Sequence, residues 1–157
     1  MHCSLPPVLL ILLSFADSSP ELPRLREQLF DSQRSREQSQ AALLLVRDKS
    51  ARAEEIVRAG IAQTEAPDVF LALAAAVRMT RDTRFGKELI EVLDAPLTGP
   101  RAALRQPPPE ALSAIADPAL IDQLAKRLAD PKLDLVRKQT YLWVLGRSNV
   151  QAAVPVL

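Results

Sequence analysis

LPRLREQLFDSQRSREQSQAALLLV, residues 22–46, lies over IDQLAKRLADPKLDLVRKQTYLWVL, residues 121–145, when the chain is shifted against itself by 99 positions. Leu22 meets Ile121, Leu25 meets Leu124, Leu29 meets Leu128, Asp31 meets Asp130, Gln40 meets Gln139, Leu43 meets Leu142 and Leu45 meets Val144. Self-similarity on this scale marks a repeat array, in which one helical hairpin cannot bury its apolar face alone and must stack on a neighbour. Within the match, Leu22, Leu25 and Leu29 fall three and four apart, on one face of a predicted helix.

Working outward, residues 31–34 break that helix. Ser35 followed by Gln38 reads as a capping box, with Ala41, Leu44 and Leu45 as the apolar stripe behind it. Ser50 is placed to cap a third helix carrying Ala53, Ile56, Val57, Gly60 and Ile61, with Glu54 one turn before Arg58. Its partner opens at Ala66-Pro67 and runs through Val69, Leu73, Ala76 and Val77. Residues 83–93 hold Phe85, Leu89, Val92 and Leu93 on one side, after which Asp94-Ala95-Pro96 and Gly99-Pro100 stop regular structure. Of Pro107-Pro108-Pro109, only the last is expected to open the helix 110–116. From Pro118 the pattern is regular again: Ile121, Leu124 and Leu128, a turn at Asp130-Pro131, then Val136, Thr140, Trp143 and Val144 as a core stripe ended by Gly146. This phase puts Trp143 in the core and Tyr141 toward the exposed side.

Register tests the repeat. The second helices open at Glu37, Val69 and Val136, and four and eight residues later come Ala41 and Leu45, Leu73 and Val77, Thr140 and Val144. The intervals of 32 and 67 fit one and two periods of about 33, which places a missing copy near Ala102 in the proline-broken unit. The expectation is an all-α chain of about four hairpins whose third unit is irregular.

Composition bounds the rest. Of 157 residues, 48% are hydrophobic but only 4% aromatic, and Ala and Leu dominate, which favours helices. With 20 basic and 19 acidic side chains the net charge is +1, so no sequence-wide footprint for nucleic acid exists. The run from Leu5 ends in Ser14-Phe15-Ala16, a small-x-small pattern that reads as a signal peptide over residues 1–16; its weak positive start leaves a cytoplasmic location as the alternative. The run is too short to span a bilayer stably, which takes about 20 apolar residues. Cleavage after Ala16 would remove Cys3 and His2, the only cysteine and histidine. Thiolate chemistry, Cys or His metal sites and Ser-His or Cys-His catalysis would go with them.

No cofactor, metal or catalytic residue emerges. Glu88 and Glu91 lie three apart, as acid–base pairs can, but read as a solvated face. The four glycines are too scattered for a phosphate loop, and Asn149 lacks the glycosylation pattern. Arg137, Lys138 and Tyr141 on the last helix are the candidate partner-binding residues, because interface hot spots favour Tyr, Trp and Arg.

Asp130-Pro131, Val136-Arg137, the stripe to Leu145-Gly146 and the segment 152–157 together resemble the HEAT repeat, most closely the short kind named after phycobilin lyase subunits. Ala66-Pro67-Asp68-Val69 resembles the same turn, whereas the paired Trp, Gly and Tyr of tetratricopeptide repeats are missing. The resemblance covers roughly residues 20–157; it implies a repeat domain over residues 17–157 in the form of a right-handed α-α superhelix, incomplete at its carboxyl end. It further implies that Asp130 caps the second helix or meets a neighbouring Arg, and that Arg137 belongs to a structural ladder. The implied function is a non-catalytic scaffold that binds another protein, with no nucleic acid expected. A DNA-binding or base-repair protein, and an accessory subunit of a lyase-type enzyme, are the alternatives.

Overall fold

The computed structural model describes residues 21–31, 33–63, 66–95, 107–115 and 117–148, with the backbone alone of Pro107. Each element among them is helical: α1 (Glu21–Phe30), α2 (Ser35–Arg47), α3 (Ala51–Ala62), α4 (Pro67–Thr80), α5 (Gly86–Asp94), α6 (Pro107–Ala114), α7 (Pro118–Leu128) and α8 (Leu135–Arg147), with a 3-10 turn (Thr83–Phe85) ahead of α5. The expected leader, the repeat position near Ala102 and the segment 152–157 lie outside the described residues.

Local chemistry explains most of the boundaries. Ser50 Oγ accepts from the Ala53 N–H at 3.3 Å, pairing a donor that a helix start leaves free and contributing about 1 kcal/mol. The apolar spacing of α3 is buried as read: Ala53, Ile56, Val57, Gly60 and Ile61. A Cβ on Gly60 would stand 2.5 Å from Leu73 Cδ1, so a side chain there would push the Leu73 terminus aside. Pro67 sits in the first turn of α4, and Arg81 ends that helix at φ 52, a left-handed conformation that usually takes glycine.

Other boundaries correct the sequence reading. Ser35 is the first residue of α2 rather than its cap, since Arg34 holds the extended position before the helix. No capping box forms: Ser39 Oγ donates to the Ser35 carbonyl, and Gln38 is buried. Leu44 is 43% exposed while Ala42 and Val46 join Ala41 and Leu45 inside. α6 takes all three prolines into its first turn. N–H groups there have no acceptor within the helix, so proline's missing donor costs nothing. Burial of Pro108 and Pro109 overrides the restriction each proline places on the residue before it. Gly146 lies inside α8, and the helix ends at Ser148, whose N–H bonds back to Val144 and Leu145. Asp134, not Asp130, caps α8 by accepting from the Arg137 N–H at 2.9 Å. Asp130 closes the preceding turn onto the Lys132 N–H, also at 2.9 Å.

The helices pair as α1 with α2, α3 with α4, α5 with α6 and α7 with α8. Adjacent pairs touch through like helices: α2 against α4, α4 against α6 and α6 against α8 on one side, α1 against α3 and α3 against α5 on the other. A continuous core follows, from Leu22, Leu25 and Leu29 through Phe70, Leu73, Phe85 and Leu112 to Tyr141, Val144 and Leu145. Among the described residues no extensive contact joins the first pair to the last.

Candidate functional site

α8 is where burial departs furthest from the pattern. In α4 the stripe Val69, Leu73, Ala76 and Val77 is buried throughout. The corresponding stripe in α8 is not: Val136 is 67% exposed, Trp143 37%, Thr140 half-buried, and only Val144 is inside. Leu135 and Leu142 add 70% and 42% exposed leucines to the same helix. The cause lies in the neighbours. Val69 and Leu73 lie against Gly60 of α3, and α4 further has α2 on one side and α6 on the other, whereas α8 has α6 on one side and no described helix beyond it. What is left is an apolar helix face rimmed by Lys138 and Arg147, with the Arg147 guanidinium 4.9 Å from the Trp143 ring centre. α8 carries no carboxylate.

Tyr141 and Trp143 therefore exchange the places read from sequence. Tyr141 is 1% exposed and its hydroxyl donates to Asp94 Oδ1. Arg127 pairs with the other Asp94 oxygen, and Arg137 Nη2 donates to the Asp94 carbonyl at 2.5 Å. Burial pushes the Tyr141 phenol above its ordinary 10.0, although the charges of Arg127 and Arg137 oppose the shift. Three side chains from the last hairpin thus clasp the end of α5. Of the three partner candidates, Tyr141 is interior, Arg137 acts as a strut between elements, and Lys138 lies half-buried on α8. Arg137 bonds to the Asp94 carbonyl at the end of α5, whereas Asp130 closes its own turn onto Lys132.

A second polar cluster joins the earlier hairpins. Arg84 Nη2 donates to the Val46 carbonyl at the end of α2 at 2.7 Å and to Asp82 Oδ2 at 2.7 Å. Burial raises the Asp82 carboxyl, but the bonds and charge from Arg84 outweigh it and leave the group below its ordinary 3.8. The same contacts with Asp82 raise Arg84. Arg58 pairs with Glu54 and Glu88, and its hydrogen bond is the main cause that holds Glu54 below the usual carboxylate range. The Arg58 and Arg84 guanidiniums both lie over Phe85, at 5.6 and 5.0 Å from the ring centre. Glu88 and Glu91 do not meet as an acid–base pair, since Glu88 faces Arg58 and the exposed Glu91 faces Lys87. Ion pairs engage these charges, and Glu88 Oε2 is buried with no hydrogen-bond partner.

Two shallow grooves lie between helices among the described residues. One of about 360 Å³ runs between α2 and α4, lined by Ser35, Ser39, Asp68, Leu71 and Ala75 among others. The other, about 440 Å³ between α1 and α3, has Phe30 and Ile56 below Arg26, Arg52 and Glu55. In the first, the Ser39 hydroxyl donates to the Ser35 carbonyl rather than to Asp68. Among the described residues no group of three or more His, Cys, Asp or Glu side chains is placed to hold a metal ion, and no helix is long and apolar enough to cross a membrane.

No protein-family model, no curated protein and no solved structure matches this chain. The sequence reading missed the exposed face of α8 because Val136 and Trp143 fit a core stripe equally well. The available signal was Leu135 and Leu142, which stand outside that stripe and were given no role.

Proposed function

We propose that this chain is a non-catalytic scaffold of HEAT-like repeats, in the form of a right-handed superhelix, that binds another protein. One observation carries the reading: a helix face with Leu135, Val136, Leu142 and Trp143 open to solvent at the end of a row of packed helices. Contiguous exposed apolar groups of this kind mark interaction sites in soluble proteins. The pairing of like helices along two rows supports the repeat assignment, because stacked hairpins touch their neighbours in that way. Export through the leader belongs to the same proposal and rests on the sequence alone.

Photo-crosslinking tests this. A benzophenone amino acid placed at Val136, Leu142 or Trp143 should yield a discrete protein adduct in the cell that expresses the chain, and one placed at Arg24 should not. Adducts spread evenly over all four positions would contradict the reading. So would retarded migration of DNA by the purified chain that is lost on raising salt, as phosphate contacts require.

A further inference from the structure

We infer that the open side of α8 is a seat for one helix of a partner protein, and that this helix is amphipathic with acidic residues beside its apolar stripe. The inference rests on the scaffold reading above and specifies its partner. α4 shows what such a stripe accepts. Val69, Leu73 and Ala76 occupy the register positions of Val136, Thr140 and Trp143 and are buried; the first two lie against a neighbouring helix, since a Cβ on Gly60 of α3 would stand 3.4 and 2.5 Å from them. A helix laid across Val136, Thr140 and Trp143 would cover them in the same way.

Charge specifies the chemistry. α6 answers a cation of α4 with an acid, since Arg78 Nη1 lies 2.8 Å from Glu110 Oε2 across the two helices. α8 offers Lys138 and Arg147 beside its apolar face and has no carboxylate of its own. Arg147 is held over the indole of Trp143, so it stands at the rim of the seat. A second copy of α8 would bring cation against cation, which disfavours a symmetric dimer through this face. A helix with glutamates flanking its leucines satisfies both the stripe and the rim.

Trp143 is the only tryptophan, so its emission reports this face alone. Two stapled helical peptides share one leucine stripe and differ in carrying glutamate or lysine at the flanking positions. The glutamate peptide is expected to blue-shift the emission and saturate, binding about tenfold more tightly than the lysine peptide, as two rim ion pairs allow. Val136→Glu should abolish binding of the glutamate peptide with the circular dichroism unchanged. The double variant Lys138→Glu, Arg147→Glu should reverse the preference. Equal binding of the two peptides, or none, would overturn the inference. A blue shift only with phosphatidylglycerol vesicles would assign the face to a membrane instead, and a doubled mass of the free chain in solution would assign it to a second copy. Adducts at Val136 and Trp143 together with a failed peptide experiment would leave the scaffold reading standing and remove the acidic helix.

Discussion

The first and last hairpins are the pair that the sequence lays over each other, and five matched pairs of interior positions agree. Leu22 and Ile121 are buried, as are Leu25 and Leu124, Ala42 and Tyr141, Leu45 and Val144, Val46 and Leu145. Their surfaces diverge. Where α2 opens with Arg36 and Glu37, α8 opens with the exposed Leu135 and Val136. The two hairpins thus share these buried positions, while the apolar groups outside them differ in exposure. The anchors share one form: a guanidinium from a later segment caps the end of an earlier helix, Arg84 on α2 and Arg137 on α5.

The largest expected effect lies at the position where the two interiors carry different loads. Tyr141→Ala should destabilise the chain by about 3–5 kcal/mol in urea unfolding, the range for truncating a buried aromatic ring. Ala42→Gly, at the matching position, should cost only about 1 kcal/mol through helix propensity. Equal losses would break the comparison. Next, Arg84→Ala should cost about 1.5–3 kcal/mol, because it leaves the Val46 carbonyl and Asp82 without a charged donor.

The two junctions should also answer to opposite ends of the pH scale. Asp82 has a folded pKa below its unfolded 3.8, so its contribution is complete above that value and is lost as pH falls through the folded pKa. Tyr141 has a folded pKa above 10.0, so the neutral phenol is favoured in the fold; that contribution is present below 10.0 and lost as pH rises through the folded value. Melting temperatures of Asp82→Asn should fall less in acid than those of the wild type, and those of Tyr141→Phe less in alkali. The smallest effects belong to the exposed stripe. Val136→Ala should change stability by no more than about 0.5 kcal/mol, while abolishing whatever the face binds.

Much of this organisation was legible in the chain. Spacings of three and four mark the buried faces of α1, α3 and α5, and Ser50 and Pro67 mark the starts of α3 and α4, because each of these signals is local. Tyr141 and Trp143 were inverted for a physical reason: two residues that differ by about 200° around a helix both fit an apolar surface, and only the neighbours decide which is covered. The clasp on Asp94 left no trace in the sequence, since Arg127, Arg137 and Tyr141 reach it across turns that periodicity does not encode. The start of α6 was missed because the rule against proline in helices relaxes over a whole first turn rather than at one position.

Cross-linking tests most directly whether the hairpins lie in a row. With Cys3 replaced by serine, cysteines at Ser39 and Ala72, which line one groove between α2 and α4, should be joined within a single chain by a short bismaleimide. Cysteines at Ser39 and Lys138, on helices that share no extensive contact, should not. Efficient joining of the second pair within one chain would mean that the first and last hairpins close on each other, and would contradict the account.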